Sequence, residues 1–165
     1  MVLLGNVIAL IACLLMVYSG FIKKKKNILL IQSIQIGLSA LSNILLGGFT
    51  GAIINALNCL RNILCYKNKL NIVWKIVITI LSIVLSIVFN NKGLIGYLPL
   101  VSALIYLWLM GEKDVVKFKL LIIFTIAFWI VYDFVIKNYV SFAFDIGTIF
   151  ANLISIYTIK KKVRS

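Results

Sequence analysis

Histidine does not occur in this 165-residue chain, and only four residues are acidic: Glu112, Asp114, Asp133 and Asp145. The commonest general base is therefore missing, and no nucleophile and base pair, glycine-rich phosphate loop or metal cluster assembles from what remains. An enzyme is not expected, nor is a metal or any other cofactor. Glu112 and Asp114 sit among lysines and read as solvated ion pairs. Cysteine is scarce, and Cys13, Cys59 and Cys65 fall singly in apolar stretches, so they read as small packing groups. Proline occurs once, at Pro99, where it is expected to kink an apolar helix in its outer half and free a carbonyl.

Charge as a whole is sparse. Charged residues make up 13% of the chain and hydrophobic ones 63%, with a mean hydropathy of +1.13. A soluble domain averages about 25% charged and about 45–50% apolar residues, so the chain reads as an integral membrane protein. Seven apolar stretches follow one another: Val2 to Ile22, Asn27 to Leu46, Gly48 to Tyr66, Leu70 to Phe89, Leu94 to Met110, Phe118 to Ile136 and Tyr139 to Ile159. Each is close to the roughly 20 residues that cross a bilayer. The first has no basic segment before it and is long enough to span, so it reads as a span and not as a cleaved signal. The second stretch meets the third at Gly47-Gly48, and the sixth meets the seventh at Lys137-Asn138, which predicts two tight helical hairpins.

The lysines and arginines are distributed unevenly. With the N-terminus outside, Lys23 to Lys26, Arg61, Lys67, Lys69, Lys75, Lys113, Lys117, Lys119, Lys160 to Lys162 and Arg164 fall on the inner side, and only Lys92 and Lys137 outside. That bias predicts an N-terminus out, C-terminus in topology. It also accounts for the net charge of +13 through short loops beside spans, so no nucleic-acid partner is expected; the partner is the lipid bilayer. Arg61, one turn before the inner end of its stretch, is expected to snorkel to the interface.

Polar residues inside the spans are costly unless they meet partners or water, and here they recur in step. Asn55, Asn58 and Asn62 are spaced i, i+3, i+7, and so are Asp145, Thr148 and Asn152; each set lies on one helical face. An offset of 90 residues superimposes them and also places Gly51 on Ser141, Asn43 on Asp133 and Tyr18 on Trp108. Such self-similarity marks duplicated transporters. The expected fold is all-α, a single membrane domain over 1–165 in a 3+1+3 arrangement: repeat one 1–67, a linker helix 70–89, repeat two 94–160, the two repeats parallel. In the second stretch Gln32, Gln35, Ser39, Ser42 and Asn43 share a wedge of about one third of the circumference, and the sixth repeats this with Thr125, Trp129, Tyr132 and Asp133. The fourth carries only Ser82 and Ser86 and is expected to face lipid.

Leu45-Leu46-Gly47-Gly48-Phe49-Thr50-Gly51-Ala52 with Asn58-Cys59-Leu60-Arg61, the segment Tyr97-Leu98-Pro99-Leu100, and Trp129-Ile130-Val131-Tyr132-Asp133-Phe134 resemble motifs of the YgjV family of small bacterial inner-membrane proteins. Asp133 departs from the uncharged polar residue that relatives often carry. The resemblance implies a multi-pass protein of the bacterial inner membrane and brings no substrate with it. The three-one-three plan is in turn similar to SWEET sugar facilitators and PnuC-type transporters of the PQ-loop superfamily, in which substrate sits between the two units.

Two functional readings are open. In the first, a small polar solute such as a sugar, nucleoside or vitamin crosses between rocking units. Asn55, Asn58, Asp145 and Thr148 would contact it near the midplane, with Asn62 and Asn152 nearer the cytoplasmic gate. Gln32, Gln35, Asn43, Asp133 and Trp129 would complete the pathway. In the second, the protein is a non-transporting accessory or receptor whose amides only join helices, each such bond contributing about 0.6–2 kcal/mol.

Overall fold

Long runs of Leu, Ile and Val satisfy their backbone groups within the segment when they coil into helices, which is what a hydrocarbon solvent demands. The computed structural model describes residues 1–20, 25–109 and 115–164, and among them there are seven α-helices and no strand. They are α1 (Val2–Gly20), α2 (Lys25–Leu45), α3 (Phe49–Tyr66), α4 (Ile72–Phe89), α5 (Leu98–Leu109), α6 (Val115–Val135) and α7 (Tyr139–Arg164). Glu112 and Asp114, with Lys23, Lys24 and Lys113, lie outside the described residues.

The helices pack in a closed order. α1 lies on α2, α2 on α3, α3 on α5, α5 on α6, α6 on α7, and α7 back on α1; α4 stands outside this ring against α3 and α5. α4 buries only Ile78, Ser82 and Ser86, one stripe at i, i+4, i+8, and exposes Val73, Ile76, Ile80, Val84 and Ile87. Three apolar layers descend through the bundle: Leu46, Tyr132 and Ile136 between the two hairpins; then Ile54, Leu100 and Ala103; then Leu64, Ile78 and Leu107.

Both hairpins end their first helix in the same way. At α2–α3, the Gly48 N–H donates to Asn43 O (2.8 Å), Gly47 to Ile44 O (3.1 Å) and Leu46 to Ser42 O (3.0 Å). At α6–α7, Asn138 donates to Asp133 O (2.8 Å), Lys137 to Phe134 O (3.2 Å) and Ile136 to Tyr132 O (3.1 Å). These are Schellman turns 90 residues apart, with Gly47 (φ 71°) and Lys137 (φ 62°) in the left-handed position. Each turn is tied down from outside by an asparagine. Asn91 Nδ2 donates to Gly47 O (2.8 Å), and Asn6 Nδ2 donates to Lys137 O (3.0 Å) while its Oδ1 accepts the Val140 N–H (3.2 Å).

Pro99 kinks nothing. The fifth apolar stretch opens as a short 3₁₀ turn, Gly93–Tyr97, and the α-helix begins only at Leu98. Pro99 therefore occupies the first α-helical turn, where no intrahelical partner exists for an N–H and a fixed φ helps.

Candidate functional site

The two hairpins bring their polar ends together. Tyr132 is fully buried on α6 and its hydroxyl accepts the Gly51 N–H (2.9 Å), one of the donors that the first turn of α3 leaves without an intrahelical acceptor. Asn138, the residue before α7, accepts the Ser141 N–H through Oδ1 (3.3 Å) in the manner of an N-cap. Its Nδ2 donates to Asn43 Oδ1 (3.4 Å) and to Asp133 Oδ1 (3.3 Å). One amide thus links α2, α6 and α7.

Beneath this junction lies a cavity of about 160 Å³. α1 contributes Cys13 and Met16, α2 contributes Gln35, Ser39 and Asn43, and α3 contributes Asn55. From the other side come Trp129 and Asp133 of α6, then Asn138, and Ser141 and Asp145 of α7. Gln35 stands ten residues before the end of α2, so the cavity reaches about 15 Å down from the hairpin turns. Asn55 is 8% exposed and, among the described residues, its side chain has no hydrogen-bond partner. An amide so placed faces the cavity at a cost that only water or a ligand can offset. Trp129 meets Tyr132 edge-on, centroids 6.0 Å apart, and is packed at the base of the first two apolar layers.

Of the residues expected to contact solute, Asn55 and Asp145 line this cavity; Asn58 and Thr148 do not. Thr148 Oγ donates to Phe144 O (2.8 Å) one turn back in its own helix, and Asn152 Nδ2 donates to Thr148 O (2.9 Å). Gln35, Asn43, Asp133 and Trp129 line it as well, whereas Gln32, Asn62 and Asn152 stand away from it. The serine at 42, in the same wedge, reaches out of the cavity and donates to Gly5 O of α1 (2.8 Å).

Asn58 and Asn62 instead hold Arg61, which corrects the expectation that its guanidinium snorkels. Arg61 is 6% exposed. Its Nη1 donates to Asn58 Oδ1 (3.0 Å), Nη2 and Nε donate to Asn62 Oδ1 (3.1 and 3.3 Å), and Cζ lies 4.9 Å from the centroid of the Tyr106 ring on α5. Among the described residues no carboxylate pairs with it. Two amides and a π-face spread the charge where a snorkelling path would need solvent.

Ser39, from the polar wedge of the second stretch, lines the cavity too, and so do Asn138, Ser141, Cys13 and Met16, beyond the site residues that the polar spacing points to. For Asn138 a signal exists: asparagine immediately before an apolar helix is a preferred N-cap, and the 90-residue offset sets it on Gly48. Cys13 and Met16 carry no such mark, because nothing in an apolar stretch says which side of the helix will meet a void.

Comparison with known proteins points to one group. The family model Imp-YgjV, described as a bacterial inner membrane protein, matches residues 3–163. No curated protein and no solved structure matches the chain.

Proposed function

The chain belongs to the Imp-YgjV family of bacterial inner membrane proteins, and from that premise we propose that it carries a small polar solute across the inner membrane by alternating access. One observation bears the weight: a polar cavity inside the helix ring, lined from both hairpins and containing the unpartnered amide of Asn55. The proposed units are α1–α3 and α5–α7, with α4 as linker and the N-terminus outside. Supporting this division, the contact of α3 with α5 is answered by that of α7 with α1, and the two Schellman turns correspond bond for bond at the 90-residue offset.

With that orientation the cavity occupies the outer half of the bundle. Toward the cytoplasmic half, Arg61 of the first unit lies against Tyr106 of the second and forms the inner closure. Rocking the units apart there would open the cavity inward. Asn55 and Asp145 bind the solute with Asp133 beside them, Gln35 and Asn43 guide it, and Asn138 closes the outer end.

The accessory-protein reading draws on the same junction, since the Asn43–Asn138–Asp133 bonds and the Tyr132–Gly51 bond join helices without any ligand. Uptake separates the two. Purified protein in proteoliposomes, offered a panel of labelled small polar solutes, should accumulate at least one, and Asn55→Leu should abolish that uptake while the protein remains folded. Absence of uptake of every solute by well-folded wild type rejects transport in favour of the accessory role.

A further inference from the structure

The cavity, taken as the solute site proposed above, has a sign as well as a polarity. Asp133 and Asp145 both line it, and among the described residues no lysine or arginine does. Asp133 is 3% exposed and its carboxylate accepts one hydrogen bond, from Asn138. Asp145 accepts none among the described residues. The one buried cation among those residues, Arg61, is already taken up by Asn58, Asn62 and Tyr106. Two carboxylates in a low-dielectric pocket with no counter-charge have to be neutralised, by protons when the cavity is empty and by a positive occupant when it is filled.

Asn55, itself more than nine-tenths buried, adds an unpartnered amide whose oxygen is an open acceptor beside those carboxylates and whose N–H groups can donate to the same occupant. A wall rich in acceptors suits a donor-rich ligand. Trp129 supplies an aromatic surface on the same wall, and aromatic faces attract cations. Size narrows the class further. A volume of about 160 Å³ resembles the engineered cavity of about 150 Å³ that takes up benzene, so the part of the occupant held inside has roughly six to eight non-hydrogen atoms.

We propose that the cavity binds a small protonated amine, its ammonium group held by Asp133 and Asp145, one N–H donated to Asn55, and its carbon body against Trp129. The ligand is therefore an organic cation and not a neutral sugar.

The test compares probes matched in shape and differing in charge: benzylamine with benzyl alcohol, and cyclohexylamine with cyclohexanol, by ligand-induced thermal shift and calorimetry on the detergent-purified chain. The amines should bind and raise the melting midpoint; the alcohols should not. Asp145→Asn keeps the shape of the side chain and should weaken amine binding by about tenfold or more. Asn55→Leu, read in parallel, guards against misfolding of the first variant, and Ile80→Ala, on the exposed face of α4 and outside the cavity, should bind like wild type. The proposal is overturned if the alcohols bind as well as the amines, if neither class binds, or if Asp145→Asn and Asn55→Leu both retain full amine affinity. Amine binding without uptake in proteoliposomes would remove transport and leave the cation site standing; uptake of neutral solutes without amine binding would do the reverse.

Discussion

Replacing Gly51 by alanine sets a general rule against a particular contact. In a helix interior Gly→Ala ordinarily stabilises by about 0.5–1 kcal/mol, because glycine loses more backbone freedom on folding. At Gly51 the added Cβ would stand 2.5 Å from Tyr132 Cε1, 2.7 Å from Asn43 Nδ2 and 2.9 Å from the Tyr132 hydroxyl. Tyr132 cannot retreat, since it is fully buried against Leu46 and Ile136. Overpacking of this kind costs about 1–3 kcal/mol, and prising the hydroxyl from the Gly51 N–H strands a buried donor for about 1–3 more. The net expectation is a loss of roughly 1–5 kcal/mol, read as a melting midpoint lower by about 3–15 °C in detergent. Gly37 provides the internal control: it is exposed on α2 with nothing within 4 Å of where the added methyl would stand, so Gly37→Ala should gain the usual fraction of a kcal/mol. If Gly51→Ala melts at or above wild type, α3 and α6 do not approach as described, and the junction over the cavity loses its basis.

Three further outcomes can be checked in the same melting assay. Asn58→Leu should destabilise by about 1.5–3 kcal/mol by stripping an acceptor from buried Arg61, and most of that loss should vanish in an Arg61→Leu background; Asn55→Leu, which leaves no partner stranded, should hold or raise stability. Lys137→Gly should stabilise by about 0.5–1 kcal/mol, since Lys137 holds a left-handed φ of 62° at an exposed turn, and no gain would mean that its side chain contributes contacts of its own. Asn6→Ala should cost about 1 kcal/mol by removing the bonds to Lys137 O and Val140 N, and Asn91→Ala should cost a similar amount at the other hairpin; an effect at only one would break the likeness between the two turns.

Much of the fold is legible in the order of residues alone. The membrane class follows from composition, and the two hairpins from Gly47-Gly48 and Lys137-Asn138 interrupting otherwise apolar runs. The site is legible only by halves. Helical spacing puts Asn55, Asn58 and Asn62 on one face, yet Asn55 opens onto a cavity while its neighbours clasp a guanidinium. Periodicity names a face; it does not say whether a void, a lipid or a charged side chain waits opposite. Arg61 shows the same limit, because snorkelling and burial begin from the same position along a helix and differ only in whether Tyr106 stands within reach.

By itself the sequence determined that this chain must coil into apolar helices joined by tight turns, because in hydrocarbon each segment has to satisfy its own backbone, and local composition decides that segment by segment. Only the tertiary structure decided that Asp133 and Asp145, twelve residues apart on different helices, share one cavity with Asn55 and Trp129. That outcome depends on how the helices rotate and cross, which is set by side-chain packing summed over the whole bundle and by no one stretch of chain.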